Sequence, residues 1–123
     1  MLERTLELPD LVAYAGATWD WHRVHYDPET IARFRLPGAL VDGQMLGALL
    51  AEQALDWAGP QALIRRMAFR FKSMVFAGDT VRCEGEISAV EGGRITLTQR
   101  VVVGDRAAIE AATTELDLGT QHV

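Results

Sequence analysis

Few of the residues that build disulfides, nucleic-acid contacts or membrane spans occur in this sequence. Among its 123 residues there is one cysteine, Cys83, so no intrachain disulfide can form and a reducing compartment is expected. The 12 arginine and lysine residues are outnumbered by 17 aspartate and glutamate residues, which gives a formal net charge of −5. Because nucleic-acid binding usually requires a basic face, this balance argues against such a partner. No apolar run reaches the length that a bilayer span needs, so no membrane partner is expected either.

A secretory signal is also missing. The chain begins Met-Leu-Glu-Arg, without a basic start followed by an apolar segment, which together with the lone cysteine predicts a cytoplasmic location. The length accommodates a single domain, residues 1–123, with no linker inside it. Apolar residues make up 49% of the chain, enough for a core, but a chain this short buries a modest fraction of its surface. Oligomerisation is one common remedy.

Helical signals occupy the first half of the chain. Residues 2–8 predict a short first strand ended by Pro9, and Asp10 is expected to cap a helix over residues 11–18. The longest helical signal covers residues 43–58, where polar positions are few and several residues are small. This helix is therefore expected to be buried on most sides. A Gly-Pro pair ends it.

After Pro60 the apolar pattern changes from a helical period to strict alternation, which predicts strands. Three glycine-containing turns divide this half into four strands, expected to follow one another as a meander. One-sided strands need a cover, and residues 43–58 form the large apolar helix available. The predicted fold is therefore α+β, a curved antiparallel sheet wrapped around one long central helix. The residues expected on one face of each strand are Met67, Phe69 and Phe71; Val81, Cys83, Gly85 and Ile87; Ile95, Leu97, Gln99, Val101 and Val103; and Ala107, Ile109, Ala111 and Thr113.

An acid and an imidazole, Asp20 and His25, lie five positions apart in a segment predicted to be loop. A carboxylate and an imidazole that converge on one water can move its proton, as a hydratase requires. Taken singly, a capping Asp20 and a surface His25 are the ordinary interpretations, and the spacing alone leaves both open. Aromatic side chains around the pair are expected to dry the site and tune its protonation. They are Trp19, Trp21 and Tyr26.

Two neighbours, His22 and Asp27, compete for the same roles. Asp27 is better explained as the N-cap of a short helix that starts at Pro28 and runs to about Phe34. His22 is left outside the reaction. A metal site would need three or more converging ligands, and these histidines are too few, so no metal and no cofactor are expected.

Gly43 begins the long helix, directly after Asp42. Free backbone N–H groups and the positive end of the helix dipole make such a position favourable for negative charge. A glycine there lets a ligand oxygen approach the backbone, so an enolate oxygen could be stabilised. The simpler interpretation is that Asp42 caps the helix and Gly43 permits the turn. Both can hold at once.

Residues 14–29 resemble the hydratase motif of MaoC-like proteins: Asp20, four residues, His25, and an acid soon after. Residues 76–81 are similar to the Gly-Asp-Thr segment that starts a strand in the same family. The resemblance implies a hot-dog fold and (R)-specific hydration of an enoyl thioester such as an acyl-CoA, or the reverse dehydration. It implies that Asp20 and His25 hold and deprotonate the water that adds to C3. It also implies that the Gly43 backbone N–H binds the oxyanion.

Two positions depart from the family pattern. His22 stands where the family often has Asn, and Asp42 precedes Gly43 where it often has His. A charged Asp42 would weaken the oxyanion site unless its side chain turns away. Residues 57–64 are similar to small single-domain members associated with actinobacterial steroid side-chain breakdown, which can pair with a different hot-dog chain. A homo-oligomer or such a heteromer is therefore expected.

Two alternative functions stay open. A hot-dog thioesterase would use an acid or amide on the central helix, for which Glu52 and Gln53 are the nearby residues. A non-catalytic subunit that completes a partner's active site would need neither Asp20 nor His25.

The basic residues of the first strand after Pro60 form a solvated face or meet the phosphates of a bound carrier. They are Arg65, Arg66, Arg70 and Lys72.

Overall fold

The computed structural model describes residues 2–119. In this part of the chain, one strand comes first, then all the helices, including a short 3₁₀ helix, Arg23–His25, and then the other four strands. The strands are β1 (Leu2–Thr5), β2 (Leu63–Ala68), β3 (Thr80–Glu91), β4 (Arg94–Val103) and β5 (Arg106–Asp117). The α-helices are α1 (Leu8–Thr18), α2 (Pro28–Arg33) and α3 (Gly43–Ala58).

The five strands form one antiparallel sheet in the order β1-β3-β4-β5-β2, and α3 packs against it. Leu46, Leu49 and Leu50 of α3 are buried in the main core together with apolar residues of β3, β4 and β5. The predicted architecture, a curved sheet around one long helix, is confirmed.

Helix α3 has the bounds that the sequence predicts. Asp42 caps it, because its Oδ1 accepts a hydrogen bond of 3.0 Å from the Gln44 N–H. Gly59, with φ of +95°, ends it in a backbone conformation that side chains disfavour. Both boundaries depend on local chemistry, which explains why a sequence pattern finds them.

The prediction for the first strand is wrong at its end. β1 stops at Thr5, and residue 8 already begins α1, because Pro9 lies in the first helical turn, where a missing N–H costs nothing. Glu7 is the N-cap. Asp10 is the third helical residue, and its carboxylate accepts the Glu7 N–H at 2.9 Å to form a capping box.

The expected four-strand meander holds for β3, β4 and β5 alone. β2 pairs with β5 at the opposite side of the sheet, so the chain crosses over between β2 and β3. β2 also ends at Ala68, before Phe69 and Phe71, which were expected within it. The rings of these two phenylalanines pack against glycines of α3 instead.

The predicted inward face of β5 is wrong beyond Ile109. Two register shifts between β4 and β5 mark bulges, and each extra residue moves the following side chains to the other face. The buried residues of β5 are Ala108, Ile109, Ala112, Thr114 and Leu116. β3 also departs from prediction, since Ile87 lies after the buried Val81 and Cys83 but is 50% exposed.

A chain of buried polar groups connects α3 to the sheet. The Gln99 amide of β4 donates to the Leu50 carbonyl and to Gln53 Oε1, both at 3.0 Å. Its own carbonyl accepts from the Thr114 hydroxyl at 2.6 Å, and Gln53 donates to the Cys83 carbonyl at 2.7 Å. Every member of the chain therefore has a partner inside the protein.

Within residues 2–119, none of the helices is both long and apolar enough to cross a membrane.

Candidate active site

The loop after α1 places Asp20 beside the 3₁₀ helix. Trp19 closes α1 in the left-handed conformation, with φ of 60°, and the Asp20 N–H donates back to the Ala15 carbonyl at 3.0 Å. His22 then caps the 3₁₀ helix, because its Nδ1 accepts from the Val24 N–H at 3.3 Å. His22 therefore has a structural role, in keeping with its exclusion from the predicted reaction.

The imidazole of His25 is buried, with 8% of the residue exposed, and its orientation is set by the backbone. Nδ1 lies 2.5 Å from the Leu40 carbonyl oxygen, which can only accept a hydrogen bond, so Nδ1 carries the proton. In the neutral ring, Nε2 is then the basic nitrogen. It faces Asp20 Oδ2 at 4.0 Å and Asp42 Oδ2 at 3.9 Å.

The structure thus brings Asp20 and His25 together. The Asp20 side chain is 46% exposed, and its Oδ1 accepts a hydrogen bond from the His22 N–H at 3.4 Å. Its pKa is lowered, first by hydrogen bonding with the Asp42 side chain and next by the His22 N–H. Asp20 is therefore an ionised hydrogen-bond acceptor for a water, and it faces solvent.

Asp42 is the member of this site whose position sequence reasoning missed. It was interpreted as a helix cap that could disturb the oxyanion position, and it does cap α3. Its second oxygen faces His25, and its side chain is only 15% exposed. Burial, followed by the neighbouring Asp20, raises its pKa. The available signal was its place at the head of α3, next to the proposed oxyanion N–H.

Gly43 is the first residue of α3, and a side chain there would have to displace the Phe71 ring. A Cβ at this position would lie 2.4 Å from the Phe71 ring. The capping carboxylate of Asp42 takes the Gln44 N–H, and within residues 2–119 the Gly43 N–H has no hydrogen-bond acceptor. The packing and oxyanion interpretations of Gly43 are therefore compatible.

The aromatic residues do not enclose the pair as expected. Trp19 is 80% exposed and Trp21 is 43% exposed, with their rings packed edge to face. Tyr26 donates its hydroxyl to the Trp21 carbonyl at 2.9 Å and so braces the loop. Residues of α1 and α3 cover the inner side of the site instead. The small cavity there is lined by Leu11, Tyr14, Ala15, His25, Asp42 and Met45.

The residues of the alternative functions are occupied elsewhere. Glu52 forms an ion pair with Arg4 at 2.6 Å, and Gln53 belongs to the buried amide chain. Among the basic residues, Arg65 pairs with Asp117 and Lys72 pairs with Glu110. Cys83 is fully buried, and burial raises the pKa of its thiol to about 11, so a reactive thiolate is excluded.

Asp20, His25 and Asp42 also form a group that could hold a metal ion, since one atom of each lies within 4.8 Å of the others. The distances from Nε2 to the two carboxylates are 3.9 and 4.0 Å. Ligands of a tetrahedral zinc, each about 2.0–2.2 Å from the metal, lie roughly 3.4 Å apart. The wider spacing suits a hydrogen-bonded water better, and the absence of a metal stays a prediction.

The sequence pattern of the MaoC-like domain matches residues 2–112. The chain therefore belongs to the MaoC-like family of hydratases and dehydratases, which act in lipid metabolism.

Proteins similar to this chain include hydratases of the same class. The beta subunit of 3-oxo-4,17-pregnadiene-20-carboxyl-CoA hydratase from Mycobacterium tuberculosis is 34% identical over 110 residues, which cover 88% of this chain and 83% of that protein. The ChsH1–ChsH2 complex from Mycobacterium tuberculosis is similar in structure, with a TM-score of 0.88, 30% identity, and coverage of 94% of this chain and 91% of that chain.

The (R)-hydratase from A. caviae involved in PHA biosynthesis is similar with a TM-score of 0.87 and 24% identity, over 94% of this chain and 90% of that one. These likenesses confirm the predicted hot-dog fold.

Proposed function

We propose that the chain catalyses the reversible hydration of a trans-2-enoyl thioester, an enoyl-CoA, to the 3-hydroxyacyl thioester. The observation that carries this proposal is the orientation of His25. Its Nδ1 is committed to the Leu40 carbonyl, which leaves a basic Nε2 facing the Asp20 carboxylate at 4.0 Å. Family membership supports a hydratase or dehydratase reaction in general.

In this mechanism a water donates hydrogen bonds to His25 Nε2 and to the Asp20 carboxylate. As the water oxygen attacks C3, its proton passes to Nε2, and negative charge moves to the thioester oxygen. The Gly43 N–H and the positive end of α3 stabilise that enolate. The imidazolium then gives its proton to C2, so that the elements of one water have been added and His25 is neutral again. Dehydration follows the same steps in reverse.

The relatives support a CoA thioester and a partner chain. One is by name the beta subunit of a hydratase whose substrate is a carboxyl-CoA, and one solved neighbour is a complex. We therefore propose that this chain works with a second hot-dog chain, either its own copy or a related one.

Replacing Asp20 with Asn tests the assignment. The absorbance of the conjugated enoyl thioester is followed with crotonyl-CoA and with a bulkier enoyl-CoA. Because a neutral amide accepts the hydrogen bond of the water more weakly than a carboxylate and carries no negative charge to stabilise the imidazolium, Asp20→Asn is expected to lower kcat by about a hundredfold or more without unfolding the protein. Asp105→Asn, in the exposed turn between β4 and β5, is the matched control and should behave as wild type.

Two other results would point elsewhere. Hydration that survives in purified Asp20→Asn contradicts the assignment of the pair. Release of free CoA thiol from the acyl-CoA, without hydration, would identify a thioesterase. If the isolated chain turns over neither substrate, the same assays are repeated with a related hot-dog chain added, because the active form is then the complex.

A further inference from the structure

Three polar atoms surround one small volume at the active site. Asp20 Oδ2 and Asp42 Oδ2 lie 4.0 and 3.9 Å from His25 Nε2, and one ligand atom of each residue lies within 4.8 Å of the others. A point just above the centre of such a triangle is at hydrogen-bonding distance from each corner. The triangle therefore has the size of a site for one water with three partners rather than two.

The hydrogen-bonding capacity of water decides what the third partner must be. A water has two O–H donors, which the proposed mechanism directs to His25 Nε2 and to the Asp20 carboxylate. A third group can then only donate to a lone pair of the water, and an ionised carboxylate cannot donate. One lone pair is left for attack at C3.

We propose that Asp42 is the third group of the water site, and that its carboxyl group carries a proton and donates it in a hydrogen bond to the water activated by Asp20 and His25. This inference rests on the proposed hydratase function. The bond orients the free lone pair of the water towards the substrate. Asp42 neither gains nor loses a proton over the reaction, so the balance of the proposed hydration is unchanged.

The surroundings of Asp42 favour the protonated form. The titratable groups that face it are Tyr14 on α1, Asp20 on the following loop and His25 on the 3₁₀ helix. Burial, followed by side-chain hydrogen bonding with Asp20, raises the pKa of Asp42, whereas the pKa of Asp20 is lowered. Two interacting carboxyl groups titrate as a pair, and the buried member is the one that keeps its proton.

A protonated Asp42 also removes an electrostatic conflict. Asp42 precedes Gly43, whose N–H is proposed to bind the enolate, and a carboxylate there would repel that developing charge. A neutral carboxylic acid does not repel it. Meanwhile Oδ1 still accepts the Gln44 N–H and caps α3, because a carboxylic acid keeps an acceptor oxygen.

Two substitutions that both preserve the helix cap test the proposal. Asp42→Asn keeps an N–H donor of the same reach, whereas Asp42→Ser keeps a capping oxygen but is too short to reach the water. Hydration by Asp42→Asn is expected within a few-fold of wild type, and Asp42→Ser is expected to lose roughly tenfold or more in kcat. Equal loss in both variants, or no loss in either, overturns the proposal.

The pH dependence separates a proton donor from a merely structural residue. An acid with a raised pKa is protonated below that pKa, so wild-type kcat should fall as pH rises through it. Asp42→Asn cannot lose the proton, so this fall should be absent from its pH profile. A fall that is identical in both proteins contradicts the assignment of the proton to Asp42.

Carbon-13 NMR of the aspartate carboxyl groups gives a readout that does not require turnover. The signal missing in Asp42→Asn identifies Asp42, and its titration midpoint is expected above the ordinary value of about 3.9 and lower again in Asp20→Asn. An ordinary midpoint in wild type overturns the inference. Failure of the hydratase function would instead appear as no hydration, or as hydration that survives in Asp20→Asn, whatever the NMR titration shows.

Discussion

The backbone of Gly43 and the ring of Phe71 lie against each other at the head of α3. Phe71 is 52% exposed, so the ring has room to move outward, but Gly43 has no space for a side chain while the ring stays in place. Gly47, one turn along, is packed in the same way by Phe69, and the two rings meet edge to face at 5.6 Å. Packing at this end of α3 therefore depends on the two glycines and the two rings together.

Substitution of Gly43 by Ala is expected to disturb both packing and catalysis. The new Cβ would lie 2.4 Å from the Phe71 ring, which must shift, at a cost of about 1–3 kcal/mol in the free energy of unfolding. Urea denaturation measures this cost, and the enoyl-thioester assay measures the accompanying loss of rate.

The double variant Gly43→Ala/Phe71→Ala supplies the control for that measurement. In the Phe71→Ala background, Gly43→Ala should cost much less stability than in wild type, because no ring is left to clash. If Gly43→Ala costs the same in both backgrounds, steric conflict with Phe71 is not the cause of the loss.

At the scale of elements, α3 is held to the sheet by hydrogen bonds as well as by apolar packing. Gln99 of β4 is 1% exposed and joins the α3 backbone at Leu50 to the Thr114 hydroxyl of β5. Gln53 adds a further hydrogen bond, which it donates to the Cys83 carbonyl of β3. These bonds can form only when α3 lies on the sheet in one orientation and at one position. They therefore fix where Asp42, at the N-terminus of α3, lies.

Replacing Gln99 with Leu is expected to destabilise the fold by about 2–4 kcal/mol, because a buried hydroxyl and a buried amide lose their partner. The free energy of unfolding in urea measures this. Thr114→Val, added to Gln99→Leu, removes one stranded hydroxyl and should recover part of the loss. Costs that simply add in the double variant would show that the two side chains act independently.

For the whole molecule, the surface of the isolated chain indicates that a partner covers part of it. Trp19 is 80% exposed, and Val90, Phe34 and Leu63 are each more than half exposed. In the sheet that residues 2–119 form, β1 and β2 lie at the two edges, and each has one side without a neighbouring strand in this part of the chain. Large apolar side chains and open strand edges are features that chain association usually covers.

The purified chain is accordingly expected to have a mass of at least twice 13.6 kDa, or to bind a related hot-dog chain in a complex heavier than either chain alone. Multi-angle light scattering after size exclusion measures the mass directly. A monomer that hydrates enoyl-CoA at full rate and binds no such chain would contradict the proposed assembly.

Features that depend on residues close together along the chain could be predicted from the sequence. The bounds of α3 follow from its cap and its final glycine, and the pairing of Asp20 with His25 follows from a short loop. The register of β5 could not be predicted, because a bulge leaves no mark on an alternating pattern.

The position of Asp42 beside His25 could not be predicted either. The two residues are distant in sequence, and they meet because α3 packs next to the loop after α1. The exposure of Trp19 likewise depends on what surrounds the loop, which its own sequence does not specify.

The hydrogen bond from His25 to the Leu40 carbonyl has an evolutionary consequence. The acceptor is a main-chain atom, and its segment is tied down by further main-chain bonds, from the Leu40 N–H to Val24 and from the Val41 N–H to Val75. No exchange of a side chain at position 40 can delete that acceptor. The tautomer of the proposed general base is therefore buffered against point mutation. Under the proposed function, selection for new acyl groups can alter the surrounding side chains while the acid–base chemistry is inherited intact.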